Sequence, residues 1–193
     1  MTEIGLIRHG STAWNKERRA QGSSDIPLDK EGLMQARLVA ERLSAEKWDV
    51  IYSSDLSRAR QTAEAIADKT GIPLQLDVRL REWGGGLIEG TTEEERIRKW
   101  GPDWSDLDLN METEESIIAR GTSFMEELMA KHENKRILLV SHGSFLRHLL
   151  KKIVPHYNAE ESLKNTSVSS IVKSDQQWEC QLYNCTKHII EDT

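Results

Sequence analysis

Two histidines in the sequence each follow a short apolar run and each precede a glycine. His9 comes after residues 4–7 and Arg8, and His142 comes after residues 137–140 and a serine. A neutral imidazole, with an ordinary pKa of about 6.5, is an available nucleophile at pH 7. An arginine beside glycine-exposed backbone amides suits a phosphate group. The pattern therefore predicts a site where histidine chemistry acts on a bound phosphate.

Apolar periodicity predicts the elements that must position these histidines. Short apolar runs predict strands at 4–7, 50–52, 72–76 and 137–140, and helical spacing predicts helices at 31–46, 56–70, about 117–133 and 145–150. Asp29 is the expected N-cap of the first helix, and Gly71 is expected to end the second. Alternating apolar and polar residues at 168–173 and 178–183 predict an antiparallel hairpin joined by residues 174–177.

The alternation of strands and helices predicts a three-layer αβα sandwich that forms a single domain over residues 1–193. Its central sheet is expected to be mostly parallel, with an antiparallel C-terminal strand and a small helical cover segment. Ligands of such sheets bind at the carboxyl ends of the strands. We therefore expect His9 and His142 to face one crevice, each followed by a glycine that lets the chain turn sharply and a ligand approach the backbone.

Four motifs of the sequence resemble, in the same order, those of the histidine phosphatase superfamily, also called the phosphoglycerate mutase-like family. They are residues 6–15 (LIRHGSTAWN), 53–63 (SSDLSRARQTA), 80–82 (LRE) with 86–90 (GLIEG), and 140–143 (VSHG). A lone Arg-His-Gly is a weak signal, whereas four ordered motifs across nearly the whole chain are specific. The sequence departs from the common pattern at Ile88, where family members often have Trp, and three glycines precede that position.

The chemistry of a phosphomonoester assigns expected roles to the residues of these motifs. His9 is expected to be the nucleophile. Its attack leaves negative charge on the oxygens of the transferring phosphoryl group, and Arg8, Arg58 and His142 can hold those oxygens. Backbone amides near Gly143 are expected to assist. The resemblance to the family points to the same roles.

A proton donor and two further polar contacts complete the expected site. The leaving alkoxide needs a proton, and the water that later attacks phosphohistidine must lose one, so Glu82 is expected to act as acid and then as base. Glu89 nearby is expected to be a supporting or capping residue if it is not the acid. The resemblance adds Asn15 and Gln21 as polar contacts to the phosphate or to the nucleophile.

The sequence leaves the roles of two groups of residues open. Arg60 lies on the same predicted helix as Arg58, and only the register of the motif favours Arg58 as the phosphate ligand. Among the six tryptophans, core packing is expected for Trp48 and Trp178. Either pocket lining or packing within the cover is expected for Trp14, Trp83, Trp100 and Trp104.

The acidic residues concentrate in one segment. The chain has 26 Lys+Arg and 32 Asp+Glu, a net charge of -6, yet residues 89–116 alone hold ten acidic residues against three basic ones, or -7. The rest of the chain is therefore close to neutral, and we expect 89–116 to be an acidic cover insertion. Such a cover should disfavour multiply phosphorylated substrates, most strongly at low salt.

Composition excludes several classes of partner. A net negative chain has no general attraction for nucleic acid, and no apolar run reaches the roughly 18–20 residues that span a bilayer. The first residues lack a cationic signal region, so we expect a cytoplasmic protein without membrane or nucleic-acid partners. Cys180 and Cys185 are expected to be reduced thiols, and neither a metal nor a cofactor is expected. A homodimer is left open.

The length of the chain favours hydrolysis over mutase chemistry. A mutase must exclude water while it holds phosphohistidine, and the interval from Glu82 to His142 is shorter here than in cofactor-dependent mutases. We therefore predict a metal-independent phosphatase of small phosphomonoesters that resembles bacterial broad-specificity phosphatases. The alternatives are a cofactor-dependent phosphoglycerate mutase, an alpha-ribazole phosphatase and, as a different class, a module that only binds phosphorylated ligands. The sequence does not specify the physiological substrate.

Overall fold

Six strands form one mixed sheet at the centre of the molecule. The computed structural model describes residues 1–158, 160–175 and 177–189. The strands are β1 (Thr2–Arg8), β2 (Val50–Ser53), β3 (Leu74–Leu76), β4 (Arg136–Ser141), β5 (Val168–Ser174) and β6 (Gln177–Cys185). Their order is β3-β2-β4-β1-β5-β6, with the first four parallel to one another and the two C-terminal strands antiparallel.

Helices cover both faces of this sheet. They are α1 (Ala13–Lys16), α2 (Lys30–Ser44), α3 (Ser57–Thr70), α4 (Glu93–Trp100), α5 (Glu114–Lys131) and α6 (Gly143–Ile153). One apolar core lies between the sheet and helices α2 and α3, and the other lies between the sheet and helices α5 and α6. The predicted three-layer αβα sandwich with a mostly parallel sheet is confirmed.

Consecutive residue pairs of the two central strands lie in opposite cores. In the parallel register of β1 and β4, Leu6 pairs with Leu139 and Ile7 pairs with Val140. Leu6 and Leu139 face helices α5 and α6, whereas Ile7 and Val140 face helices α2 and α3. Because side chains alternate along a strand, Arg8 points toward the α6 side. The alternation of side chains along β1 therefore determines on which face of the sheet Arg8, the first charged residue of the site, lies.

The predicted ends of the elements agree with the structure to within a few residues. The Asp29 carboxylate caps α2 by accepting the N–H of Gly32 at 2.7 Å, and Gly71 ends α3 in the left-handed region with φ 72°. Strand β3 begins two residues later than predicted, after Pro73, which has no N–H for a ladder. The predicted hairpin turn at 174–177 includes residue 176, which lies outside the described residues.

The sequence also predicts that no helix spans a membrane and that both cysteines are reduced. Within the described residues, no helix combines the length and apolarity needed to cross a membrane. Cys180 and Cys185 lie on β6 as free, half-buried thiols.

The end of β1 contacts the start of α2 through backbone atoms. A Cβ added at Gly10 would lie 2.7 Å from the Gly32 carbonyl oxygen, and a Cβ added at Gly32 would lie 2.0 Å from the Ser11 carbonyl oxygen. Both distances are shorter than any Cβ contact can be, and the obstructing atoms are backbone. The helix therefore holds the segment after β1 in place only because both positions are glycine.

We expect Gly32→Ala to lower the free energy of unfolding by about 3 kcal/mol, since the added methyl group must push two backbone segments apart. Urea unfolding followed by circular dichroism measures this loss. Gly71→Ala is the matched control. Gly71 has a positive φ but no neighbour within 4 Å of an added Cβ. Its replacement should lower stability by only about 1 kcal/mol. Equal losses in the two variants would contradict the close backbone contact.

Candidate active site

His9 and His142 lie side by side at the carboxyl edge of the sheet. Their ring centroids are 5.2 Å apart, with ring planes inclined at 58°. The backbone N–H of His9 donates to the Ser141 carbonyl at 3.0 Å, which continues the pairing of β1 and β4. His9 is 2% exposed and His142 is completely buried. The structure therefore brings together the two histidines that the sequence places far apart.

The hydrogen bond of His9 fixes its tautomer. Nδ1 lies 2.6 Å from the carbonyl oxygen of Gly10. A carbonyl only accepts, so Nδ1 carries the hydrogen and the neutral ring has its lone pair on Nε2. Burial, together with the positive charges of Arg8 and Arg58, holds the pKa of His9 well below its ordinary value. The ring is therefore neutral at physiological pH, with the lone pair of Nε2 free to act as a nucleophile.

His142 has the complementary hydrogen-bonding pattern. Its Nε2 lies 2.8 Å from the hydroxyl of Ser54, whose oxygen already accepts the N–H of Leu56. The Ser54 hydroxyl has no other acceptor in the described part of the chain, so it donates to Nε2 and the hydrogen of the neutral ring is on Nδ1. Within the described residues, Nδ1 is buried and has no partner. Burial, and then the charge of Arg58, lowers the pKa of His142 far below its ordinary value.

Two arginines next to these rings bond to backbone carbonyls rather than to carboxylates. The completely buried Arg58 donates to the carbonyls of Ser24 and Gly22, both at 2.7 Å, and Arg8 donates to the carbonyl of Leu163 at 2.5 Å. Burial lowers the pKa of both guanidinium groups, that of Arg58 to about 10. The Nε atoms of both are buried without a partner in the described part of the chain. Both groups therefore keep hydrogen-bond donors for an anion.

The structure places Arg58, not Arg60, beside the histidines. Arg60 lies on the outside of α3, where its guanidinium is 3.5 Å from the carboxylate of Glu64. Its side chain is 44% exposed, compared with a fully buried Arg58.

Close contacts, and not the turn, account for the glycines after the two histidines. Neither Gly10 nor Gly143 has a positive φ, so the sharp turn expected at these positions does not need a glycine. A Cβ at Gly143 would lie 3.3 Å from Nε of Arg8, which is tighter than most Cβ contacts. Gly143 therefore allows the guanidinium of Arg8 to lie against the first turn of α6.

Glu82 is held at the N-terminus of α6. Its Oε1 accepts the N–H groups of Phe145 at 2.9 Å and Trp83 at 2.8 Å, and its Oε2 accepts the N–H of Ser144 at 3.1 Å. The unpaired N–H groups and positive dipole of a helix N-terminus favour a carboxylate at this position. The carboxylate is half-buried at the mouth of the site.

Asn15 and Gln21 meet at one threonine. The side-chain oxygen of Asn15 accepts the backbone N–H of Thr12 at 3.1 Å and lies 3.1 Å from the Thr12 hydroxyl. The same hydroxyl lies 2.9 Å from the side-chain oxygen of Gln21. Both amides are thus fixed near the segment that follows His9.

A cavity of about 330 Å³ opens next to Glu82. It is lined by Ala20, Gln21, Gly22, Glu82, Trp83, Gly84, Gly85, Ile88, Trp104, Ser105, Met111 and Ser144. Within the described residues, this lining contains no Lys, Arg or His. No group of three or more His, Cys, Asp or Glu in the described chain is arranged to hold a metal. The cavity therefore offers an apolar wall, a few neutral polar groups and the carboxyl group of Glu82 beside a cationic crevice.

Four of the tryptophans lie at three different places: the cavity, the backbone at Gly90 and the core. Trp83 and Trp104 line the cavity, whereas Trp14 packs against Gly90. Trp48 is buried in the core next to α2 and α3. Of the four tryptophans left open by the sequence, the structure thus places Trp83 and Trp104 at the site.

Glu89, which lies in the 86–90 motif and is expected from the sequence to be a supporting or capping residue, bonds to the loop beside Arg58. Glu89 accepts the Ser23 N–H and the Ser24 hydroxyl, both at 2.6 Å, and the Gly85 N–H at 3.1 Å. It thereby supports the loop whose carbonyls hold Arg58. Those carbonyls, and that of Leu163, could not be found from the sequence because every residue has one.

Comparison with known proteins agrees with this geometry. Residues 4–186 match the model of the histidine phosphatase superfamily, branch 1. The chain is 34% identical over 192 residues to the uncharacterized phosphatase PhoE of Bacillus subtilis, covering 98% of this chain and 97% of that protein. It is 36% identical over 197 residues to the probable phosphoglycerate mutase GpmB of Yersinia pestis, covering 92% and 88%.

A solved structure extends the similarity to the whole fold. The phosphoserine phosphatase of Entamoeba histolytica, in complex with 3-phosphoglyceric acid, superimposes with a TM-score of 0.83 and 29% identity, covering 98% of this chain and all of that one. Given the ordered motifs, the paired histidines and these similarities, the chain belongs to the histidine phosphatase superfamily.

Proposed function

We propose that this protein hydrolyses small-molecule phosphomonoesters through a phosphohistidine formed on His9. One observation carries the proposal: Nε of Arg8, Nε of Arg58 and Nδ1 of His142 are all buried around His9 without a partner in the described residues. A buried donor left unpaired costs about 1–3 kcal/mol. A phosphoryl group supplies three acceptor oxygens, and so it matches the three donors in both number and charge.

The first step transfers the phosphoryl group to His9. The lone pair on Nε2 attacks phosphorus, a bond from nitrogen to phosphorus forms, and the ester bond from phosphorus to oxygen breaks. Glu82, in its protonated form, gives its proton to the departing oxygen, so the product leaves as an alcohol. Arg8, Arg58 and His142 hold the oxygens on which negative charge collects.

The second step returns the enzyme to its starting state. The Glu82 carboxylate takes a proton from water, and the water oxygen bonds to phosphorus as the bond to His9 breaks. Inorganic phosphate leaves, His9 is neutral again and Glu82 is protonated for the next cycle. The bond from Nδ1 of His9 to the Gly10 carbonyl supports this role, since it keeps the nucleophilic nitrogen aimed away from its own backbone.

The cavity next to Glu82 supports a substrate with a neutral body. It is the space beside the proton donor, where the leaving group must lie. Its walls include Trp83, Trp104 and Met111, and no basic side chain lines it in the described part of the chain. A second phosphate or a carboxylate would find no counter-ion there. In this proposal the segment 89–116 covers the site within a single domain, because Trp104 and Ser105 come from that segment.

The mutase alternative is supported by similarity to GpmB but not by the cavity. A mutase that uses a bisphosphate must bind a second anionic group, and the cavity has no basic residue for it among the described residues. An alpha-ribazole phosphatase stays a narrower version of the proposal, since its substrate is also a monoester. A module that only binds phosphorylated ligands would not need a neutral nucleophile beside a proton donor.

Replacement of the nucleophile tests the mechanism directly. We expect His9→Ala to lower kcat for p-nitrophenyl phosphate by at least about 10³-fold, because no other group can form the covalent intermediate. Release of p-nitrophenolate, measured with a metal chelator present, gives the rate and also tests independence from metal. His156→Gln, at an exposed position, is the control and should keep full activity. Wild-type turnover by His9→Ala would rule out the phosphohistidine.

Substrates of different charge test whether the lack of basic side chains in the cavity disfavours anionic leaving groups. We expect kcat/KM for p-nitrophenyl phosphate to exceed that for 3-phosphoglycerate, and Met111→Arg to raise kcat/KM for 3-phosphoglycerate about fivefold by supplying a charged partner for its carboxylate. Met34→Arg, on the exposed face of α2, should change neither value. Addition of 2,3-bisphosphoglycerate separates hydrolase from mutase in the same assay. Rapid formation of 2-phosphoglycerate with little release of phosphate would favour the mutase.

The lowered pKa values of His9 and His142 predict how stability depends on pH. Below about pH 6.5 the unfolded chain binds protons at these histidines and the folded protein does not. The free energy of unfolding should therefore be largest above that pH and fall as the pH decreases, by up to about 1.4 kcal/mol per pH unit for each histidine.

Urea unfolding of His9→Gln at several pH values between about 5.5 and 7.5 measures this effect. In this variant the free energy of unfolding should depend less steeply on pH, because the contribution of one histidine is missing. If His9→Gln had the wild-type slope, the nucleophile would not be held neutral by the fold.

A further inference from the structure

The stretch that carries Glu82 has no regular secondary structure. Residues 81–85 belong to neither a helix nor a strand, and residues 84–86 are all glycine. Such a stretch lacks the ladder of backbone hydrogen bonds that would fix it, yet a proton donor must be held to within a fraction of an ångström. Its position must therefore depend on side chains from elsewhere in the fold.

One side chain, Arg120 on α5, binds this stretch with its whole guanidinium group. Nη1 donates to the carbonyls of Arg79 and Arg81, both at 2.7 Å, and Nη2 donates to the carbonyl of Glu82 itself at 3.0 Å. Nε and Nη2 also donate to the two carboxylate oxygens of Glu112, at 2.8 and 2.9 Å. All five N–H donors of the arginine thus have partners.

Glu112 binds the other end of the same stretch. Its Oε2 accepts the N–H of Gly84 at 3.0 Å, and its backbone N–H donates to the Gly84 carbonyl at 2.8 Å. Its own carbonyl accepts the indole N–H of Trp83. Although burial raises the pKa of Glu112, the bonds from Arg120 and Gly84 lower it overall, so the carboxylate is ionised. Arg120 and Glu112 are 20% and 16% exposed, and so the pair is largely shielded from water.

The same arginine also contacts the helix that orients the Glu82 carboxylate. The guanidinium carbon of Arg120 lies 5.0 Å from the centre of the Phe145 ring, within the range of a cation–π contact. The backbone N–H of Phe145 donates to Oε1 of Glu82 at 2.9 Å. Arg120 therefore contacts both the peptide that carries Glu82 and a residue that holds its carboxylate.

We propose that Arg120 and Glu112 are positioning residues that set the distance from the Glu82 carboxyl group to the leaving oxygen. The proposal rests on the proposed role of Glu82 as proton donor. When the proton donor is displaced, the step that expels the leaving group slows most for a substrate whose leaving group needs a proton. An alkyl phosphate leaves as a basic alkoxide and needs the proton, whereas p-nitrophenolate is a stable anion and leaves without it. The effect of the pair therefore depends on the leaving group.

The test compares kcat/KM for ethyl phosphate and for p-nitrophenyl phosphate, because kcat/KM reports the step that expels the leaving group. We expect Arg120→Met to lower kcat/KM for ethyl phosphate on the order of 10²-fold and for p-nitrophenyl phosphate by less than about threefold. Arg120→Lys, which lacks the planar fork, and Glu112→Gln should show the same preference with smaller losses. If Arg120→Met does not fold, these two variants still test the positioning role.

Arg79→Met is the matched control. Arg79 joins the same turn to the same helix through Asp77 and Glu127, but its side chain does not contact the Glu82 peptide. It should lower stability without changing the ratio of the two kcat/KM values. Equal losses for both substrates in the Arg120 and Glu112 variants would overturn the positioning role.

Glu82→Gln separates failure of this inference from failure of the proposed mechanism. It should lower kcat/KM for ethyl phosphate far more than for p-nitrophenyl phosphate, and Arg120→Met added to it should increase that difference no further. If Glu82→Gln shows the preference and the Arg120 variants do not, the inference alone is wrong. If Glu82→Gln shows no preference, Glu82 is not the proton donor and both are wrong.

Discussion

The site depends on two guanidinium groups, one buried and one part-buried, that have no carboxylate partner among the described residues. Burying a charge is costly unless it is paired, and a carboxylate would usually supply the pair. Here Arg58 bonds to the carbonyls of Gly22 and Ser24, and Arg8 bonds to that of Leu163. Carbonyl dipoles satisfy donors without cancelling the positive charge. The loops that present these carbonyls are thus part of the site, since they keep its field available for an anion.

Burial and the charges of these two arginines together explain why the histidines are neutral. Burial is the larger cause, and the charges of Arg8 and Arg58 add to it in lowering the pKa of His9 and of His142. An imidazolium here would be a third or fourth positive charge in one buried volume. The arrangement that offers donors to an anion therefore also keeps the imidazole of His9 unprotonated, and the two properties cannot be tuned independently.

The histidines could be predicted from the sequence, and the position of Glu82 could not. His9 and His142 follow apolar strands, and the ends of parallel strands meet at one edge of a sheet, so a local pattern and one rule of topology suffice. Glu82 instead lies in an irregular stretch, held by Arg120 from a helix far along the chain. Its partners are backbone carbonyls and N–H groups, which leave no pattern in the residue types. The glycines after the histidines could be predicted as necessary, but from a turn rather than from the contact that requires them.

Much of the acidity of segment 89–116 holds the segment itself together. Glu93 accepts the indole N–H of Trp104 at 2.9 Å and pairs with Arg96, and Glu95 pairs with Arg19 at 2.7 Å. The net charge of -7 already includes Arg96, but Arg19 lies outside the segment and offsets one further carboxylate, so the segment repels a substrate somewhat less than -7 implies. Glu93, moreover, fixes Trp104, which lines the cavity. On the proposed function, the segment therefore selects substrates first by presenting an uncharged wall that cannot pair with an anionic group. Repulsion from the exposed aspartates near Trp104 acts second.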